Sequence, residues 1–108
     1  LLGGAPRQSA QAVAITLKNM LGLVCDPVAG LVEVPCVKRN AAGAAQCFVA
    51  VDLALAGVES VIPPDEVIDA MADIGRNMNE RYRETAQGGL AATPTGKRLA
   101  KLVWKEER

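Results

Sequence analysis

The chain has 108 residues with twelve basic and twelve acidic side chains, and half of its residues are hydrophobic while only 3% are aromatic. This length suits one compact domain, and the net charge of zero argues against a nucleic-acid binder that relies on a broad basic face. No histidine is present, which excludes histidine-based acid–base or metal chemistry from this chain. Because the apolar residues are mainly Ala, Val, Leu and Ile, the composition predicts an all-α fold.

The first predicted element is an amphipathic helix from Pro6 to Leu21, where apolar residues recur every three or four positions until Gly22. Proline and glycine interrupt the segment from Cys25 to Val34, which predicts a loop. A second helix is predicted from Pro35 to Ala56, since proline suits the first helical position and a glycine follows the last one.

The second helix is nearly all apolar over residues 41–58. A membrane span is disfavoured because Asp52, near its middle, would cost roughly 2.5–3.5 kcal/mol at the centre of a bilayer. We therefore expect a central apolar helix, buried by other helices, in a helical subdomain of a larger catalytic domain. Without those neighbours, the same surface is expected to self-associate or to bind a partner chain.

A third helix is predicted from Pro64, because Asp65 and Glu66 suit the positive end of a helix dipole. Its apolar face is expected to contain Val67, Ile68, Met71, Ile74, Met78 and Tyr82. Two glycine-containing segments, 87–89 and 93–96, then precede a charged C-terminal helix. In that helix Leu99, Leu102 and Val103 are expected to pack.

Three cysteines, an odd and low count, are typical of reduced thiols in the cytoplasm rather than of a disulfide-stapled secreted domain. Cys36 falls in the first turn of the second helix, where free N–H groups stabilise a thiolate, and the loop with Gly30 can bring Cys25 to the same metal centre. Simple burial of both thiols is the alternative. Cys47 lies roughly 16 Å further along the helix and is expected to be a small buried apolar residue.

Two thiolates without histidine cannot close a tetrahedral zinc site, whereas an iron–sulfur cluster completed by a cysteine from elsewhere is compatible with them. The cations in Lys38-Arg39-Asn40 oppose the dipole of the second helix unless an anion lies nearby. That anion can be a thiolate cluster, or a substrate carboxylate bound by Arg39 in a bidentate fork. Alternatively, these long side chains simply extend into solvent.

The stretch GLVCDPVAGLVEVPCVKRNAAGA resembles the signature of the iron–sulfur-dependent bacterial L-serine dehydratases. The segments ITLKNMLG, IPPDEVIDAM and ETAQGGLAATPTG fit the same family, so the resemblance extends from about Gly3 to Gly96. It identifies residues 1–108 as the C-terminal portion of the α chain or α domain, which binds the cluster. The start at Leu1-Leu2-Gly3-Gly4, without a signal peptide, likewise suggests a piece of a longer cytoplasmic protein.

The resemblance implies an enzyme of amino-acid catabolism and gluconeogenesis that converts L-serine to pyruvate and ammonia without pyridoxal phosphate. In this family three cysteines hold a 4Fe-4S cluster whose fourth iron is open to the substrate as a Lewis acid. Cys25 and Cys36 match two of these ligands, and the third lies upstream, outside this chain. Cys47 does not match a ligand, and the catalytic base stays unassigned.

The family motif also includes Lys38, Arg39 and Asn40, for which the resemblance suggests a position near the cluster or the substrate carboxylate. The expected partners are the remainder of the α domain and a β chain or domain, within an oligomer. Neither nucleic acid nor membrane is expected as a partner. The 108 residues alone should be inactive.

Two other functions are compatible with the sequence. A related cluster-dependent enzyme could remove sulfide from L-cysteine, because the leaving group is selected by residues outside this chain. In a different class, the chain could be a helical interaction module with buried, unreactive cysteines. A pyridoxal-phosphate enzyme using Lys38 is disfavoured, because no phosphate-binding loop accompanies that lysine.

Overall fold

The computed structural model describes residues 2–106, and within them the chain forms four α-helices. These are α1 (Pro6–Asn19), α2 (Cys36–Leu55), α3 (Pro64–Asn77) and α4 (Pro94–Glu106). Three short 3-10 turns lie between them, at Val28–Gly30, Glu80–Tyr82 and Gly89–Ala92. The described residues contain no β-strand, only one isolated bridge between Cys25 and Arg83, so the predicted all-α class is confirmed.

The helix ends follow local hydrogen bonding. At α2 the carbonyl oxygen of Pro35 accepts the N–H of Arg39 (3.1 Å), so Pro35 caps the helix and Cys36 is its first residue, one position later than predicted. The third helix was predicted too long, because α3 ends at Asn77. There Oδ1 of Asn79 accepts the N–H of Arg81 and starts a 3-10 turn, which removes Tyr82 from the helical face.

Although the length suggested one domain, the chain divides into two compact units. Unit 1 comprises Leu1–Gly22 with Ala41–Arg76, and unit 2 comprises Leu23–Asn40 with Asn77–Arg108. In unit 1 the buried side chains are small or medium-sized: Ala14, Ile15, Ala50, Ala54 and Val67. The connection between α2 and α3 is fixed to α1, because the N–H of Ser60 donates to Oε1 of Gln11 and Nζ of Lys18 donates to the Ser60 carbonyl oxygen.

The burial predicted for the central helix refers to the complete domain, and it is not observed within residues 2–106. In α2 only Ala50 and Ala54 are buried, whereas Phe48 is 70% exposed and Val49 is 55% exposed. The described elements of unit 1 cover one small-residue stripe of the helix and leave its larger side chains in solvent. This exposure is what was expected for the helix without further neighbours. None of the helices within residues 2–106 has the length and apolarity needed to span a membrane.

Unit 2 combines the cysteine loop, the segment after α3 and helix α4. Helix α4 packs against both the Val28–Gly30 turn and the Gly89–Ala92 turn. Thr93 caps α4, because its hydroxyl oxygen accepts the N–H of Gly96 at 3.0 Å and its O–H donates to the carbonyl oxygen of Leu90 at 2.7 Å. The turn within the cysteine loop is therefore packed against a capped helix of its own unit.

Candidate functional site

The segment between Cys25 and Cys36 folds into a closed loop. The N–H of Val28 donates to the carbonyl oxygen of Val34 at 2.9 Å, and a 3-10 turn reverses the chain between them. Ala29 (φ 57°) and Gly30 (φ 74°) in this turn both have left-handed backbone conformations, which favour glycine. The loop is therefore tightly wound and joins two cysteines that both belong to unit 2.

The backbone of Cys25 is held on both sides by the segment after α3. Its N–H donates to the carbonyl oxygen of Tyr82, and its carbonyl oxygen accepts the N–H of Glu84, each at 2.8 Å. Since both backbone polar groups of Cys25 are paired, its thiol is carried by a firmly held stretch of chain.

The guanidinium group of Arg39 connects helix α2 with the residues on either side of Cys25. Nη1 donates to the carbonyl oxygen of Val24 at 2.8 Å and to Oδ1 of Asp26 at 2.7 Å. Within residues 2–106 all side-chain hydrogen bonds of Arg39 leave from Nη1. The Arg39 side chain is 37% exposed, so part of it remains in contact with solvent.

Asp26 is the most enclosed polar group of the site, with only 2% of its side chain exposed. One carboxylate oxygen accepts from Arg39, and the other, Oδ2, accepts the N–H of Leu90 at 2.6 Å. The neighbouring Gly89 has a φ of 58°, and a Cβ placed there would overlap the Asp26 carboxylate. The glycine-rich segment therefore makes room for a buried carboxylate that joins three parts of unit 2.

Burial and charge act in opposite directions on the two ionisable groups at the start of the loop. Burial opposes ionisation of Asp26, but the hydrogen bonds from Leu90 and Arg39 and the charge of Arg39 outweigh it and hold its pKa below the ordinary value of 3.8. Burial, followed by the negative charges of Glu84, Cys36 and Asp26, raises the pKa of the Cys25 thiol above 9.0, against the smaller effect of Arg39. Asp26 is thus an anion at neutral pH, whereas Cys25 is a thiol that must lose a proton to bind a metal.

The structure brings Cys25 and Cys36 together and leaves Cys47 apart. Cys25 and Cys36 are both half-buried in unit 2, at the two ends of a loop that the Val28–Val34 hydrogen bond closes. Cys47 lies in unit 1, half-buried rather than buried as predicted, and its thiol donates to the carbonyl oxygen of Gly43 at 3.3 Å. Lys38 and Asn40 are exposed on the first turns of α2.

Asp26 and Leu90 were not identified from the sequence. Asp26 stands before a proline, where aspartate usually indicates a turn, and its backbone partner is 64 residues away. Only opposite charges could have indicated the contact of Asp26 with Arg39. Asp26 follows Cys25 and Arg39 lies three positions after Cys36, so an ion pair between them would join the two cysteine segments.

The donor atoms suit part of a soft-metal site. Two neighbouring thiols are appropriate ligands for iron in an iron–sulfur cluster. Within the described part of the chain, no group of three or more cysteine and carboxylate side chains is arranged to hold a metal ion. The thiols of Cys25 and Cys36 have the chemistry of cluster ligands, and the described residues place no third donor with them.

The comparison with protein families and the comparison with individual proteins both find serine dehydratase alpha chains. The family profile described as "Serine dehydratase alpha chain" matches residues 1–91. The chain is 68% identical over 104 residues to the probable L-serine dehydratase, alpha chain, of Bacillus subtilis, covering 96% of this chain and 35% of that protein. Its identity to the protein of the same name from Latilactobacillus sakei is 55% over 105 residues, covering 97% of this chain and 50% of the relative.

A third relative, the L-serine dehydratase, alpha chain, of Peptoniphilus asaccharolyticus, is 52% identical over 106 residues, which cover 98% of this chain and 36% of that protein. The 108 residues thus span between a third and a half of the length of these relatives. The comparison with solved structures found no significant match.

Proposed function

Since the chain belongs to the serine dehydratase alpha-chain family, we propose that it is part of an L-serine dehydratase, as the C-terminal portion of its α chain or α domain. The enzyme would convert L-serine to pyruvate and ammonia. In this reaction the Cα–H and Cβ–O bonds break and water leaves, and the resulting enamine tautomerises and is hydrolysed. The observation that carries the proposal is that Arg39, three residues after Cys36, bonds both neighbours of Cys25, in a chain whose relatives are named L-serine dehydratases.

Cys25 and Cys36 are proposed to hold a 4Fe-4S cluster whose further cysteine ligand lies outside this chain; pyridoxal phosphate is not required. When bound, such a cluster supplies a Lewis acid that stabilises the charge developing on the departing hydroxyl group. The residues of this chain would hold the cluster through Cys25, whose backbone is paired with Tyr82 and Glu84, and through Cys36 at the start of α2.

Lys38, Arg39 and Asn40 are proposed to lie near the substrate carboxylate. Nη1 of Arg39 donates to protein acceptors, and the other N–H groups of this partly exposed side chain are proposed to bind the carboxylate. Lys38 and Asn40 are exposed and add a positive charge and an amide donor on the same turns of α2. The general base that removes the α-proton is not assigned among these residues.

The proposed assembly contains the remainder of the α domain and a β chain or domain, in a cytoplasmic oligomer. The word "alpha chain" in the names of the relatives supports a partner chain or domain. Most of each relative lies outside the region matched by this chain, which supports the expectation that the 108 residues have no activity on their own.

The test uses the full-length α chain with its partner, reconstituted anaerobically with iron and sulfide. Cys25→Ala and Cys36→Ala are expected to lose both the cluster and serine-dependent pyruvate formation. Cys47→Ala is the matched control and should retain both, because Cys47 lies in unit 1. A normal cluster content in Cys25→Ala and Cys36→Ala would return these cysteines to a structural role. Faster pyruvate release from L-cysteine than from L-serine would instead favour a desulfidase.

The exposed apolar surface of α2 supports a second candidate, a helical interaction module without catalysis of its own. Phe48 and Val49 are both more than half exposed, and Leu53 and Leu55 of the same helix are exposed as well, so α2 presents several apolar side chains to a partner. A chain that folds and binds its partner without iron, and forms no pyruvate in the complete assembly, would favour this function over the dehydratase.

A further inference from the structure

The contacts of Arg39 bracket Cys25. Its Nη1 atom bonds the residue before Cys25, through the Val24 carbonyl oxygen, and the residue after it, through Oδ1 of Asp26. A single side-chain nitrogen therefore fixes the short stretch of backbone from which the Cys25 thiol extends.

Arg39 is also tied to the other cysteine. Cys36 and Arg39 are three residues apart in α2, a spacing that places two side chains on the same side of a helix. Because Arg39 reaches from this side to both neighbours of Cys25, it sets the separation between the helix that carries one thiol and the loop that carries the other.

Asp26 determines where the guanidinium group of Arg39 lies. The carboxylate is buried, its two oxygens accept from different donors, Arg39 and the Leu90 N–H, and it packs directly against the Gly89 backbone. Charge-assisted hydrogen bonds of this length are strong when they are shielded from water. The Arg39 side chain, by contrast, is more than a third exposed and would have other conformations available without this anchor.

We propose that Asp26 is a positioning residue: by anchoring Arg39 it holds the thiols of Cys25 and Cys36 at one site before any metal binds. The inference rests on the proposed function, which gives the thiol pair its role. It adds that the pair is preorganised by the protein rather than assembled by the metal.

The test measures the thiol pair directly in the metal-free, full-length α chain. Phenylarsine oxide, a trivalent arsenical that bonds two neighbouring thiols, is titrated into the reduced protein. Maleimide then labels the thiols that the arsenical has not blocked, and peptide mapping measures how far Cys25 and Cys36 are protected from this labelling, separately from the other cysteines. The variants are Asp26→Asn, Arg39→Gln and the double variant. Glu59→Gln is the matched control, because Glu59 also pairs with an arginine at 2.8 Å, but on the surface of unit 1.

Asp26→Asn and Arg39→Gln are each expected to weaken protection of the cysteine pair by about tenfold or more, and the double variant by no more than either single change, since residues that act as a unit are not additive. Glu59→Gln should stay within about twofold of the wild type. Wild-type protection in Asp26→Asn and Arg39→Gln would overturn the proposal, as would fully additive losses.

Far-UV circular dichroism establishes that each variant is folded. Should Asp26→Asn unfold, Arg39→Gln provides the decision, because it removes the guanidinium group that Asp26 anchors and that bonds both neighbours of Cys25. A folded Arg39→Gln with weakened protection supports the proposal, and one with wild-type protection overturns it. Failure of the wild type to form pyruvate in the complete assembly overturns the proposed function alone, because the arsenical is bound without metal or serine.

Discussion

The carboxylate of Asp26 lies directly against the backbone of Gly89, so closely that a Cβ at position 89 would overlap it. The same carboxylate accepts the N–H of Leu90, the next residue, at 2.6 Å. Gly89 also has a φ of 58°, where residues with a side chain are disfavoured. Glycine is therefore required here for two separate reasons, the backbone conformation and the close approach of a buried anion.

Gly89→Ala should destabilise unit 2 strongly. The change adds backbone strain of about 1–2 kcal/mol and an overlap that typically costs a further 1–3 kcal/mol. Gly30→Ala is the control, because Gly30 has a similar φ of 74° but has open space where its Cβ would lie. Denaturant unfolding monitored by circular dichroism should show a clearly larger loss for Gly89→Ala; equal losses would show that the contact with Asp26 adds nothing.

Two glycines within helices should respond to alanine in opposite directions. In α4, a Cβ at Gly96 would overlap the carbonyl oxygen of Leu90, so Gly96→Ala should destabilise the protein despite the better helix propensity of alanine. In α3, Gly75 has open space at this position, and Gly75→Ala should stabilise by about 0.5–1 kcal/mol. Thermal unfolding of the two variants shows whether each change raises or lowers the Tm. An increase in Tm for Gly96→Ala would contradict the close packing of α4 on the Gly89–Ala92 turn.

The ion pairs Asp26–Arg39 and Arg7–Glu59 should differ in their contribution to stability. Removing one partner of a buried pair costs about 3–5 kcal/mol, and because Arg39 is partly exposed we expect about 2–3 kcal/mol for Asp26→Ala. Arg7 and Glu59 are 78% and 59% exposed, so Glu59→Ala should cost less than about 1 kcal/mol. Unfolding in urea at low and high salt checks both values. A salt-sensitive, small effect of Asp26→Ala would show that its pair is solvated.

The order and type of the helices could be predicted because their signals are local. Pro6 and Pro64 stand at the first helical positions, and apolar residues repeat with helical spacing. The start of α4 was predicted too late: Pro94 is its first residue, although residues 93–96 were expected to precede the helix. The end of α3 was missed since it depends on one side-chain cap, Oδ1 of Asn79, which interrupts an otherwise continuous periodic pattern.

The missed features of the site depend on contacts between distant parts of the chain. The hydropathy of α2 indicates that the helix can be buried, but it does not indicate which elements cover it. In unit 1 only Ala50 and Ala54 of this helix are buried. The loop between the cysteines has turn residues that can be read locally. The hydrogen bond from Leu90 to Asp26, by contrast, joins residues 64 positions apart and uses a backbone N–H. Because almost every residue has such a donor, the sequence does not indicate which one Asp26 accepts from.

Removal of the metal should lower the stability of the full-length α chain if Cys25 and Cys36 are ligands. A ligand that binds only the folded state stabilises it by mass action, and a cluster held by two segments of unit 2 would do so. We expect the Tm of the reconstituted wild type to fall by several degrees when a chelator removes iron under anaerobic conditions. This fall corresponds to a loss of about 1–2 kcal/mol in the free energy of unfolding. Cys47→Ala should show the same loss. Cys25→Ala and Cys36→Ala should already unfold at the lower temperature and respond little to the chelator, because no cluster is bound to be removed. A chelator effect of wild-type size in these two variants would place the ligands elsewhere in the protein.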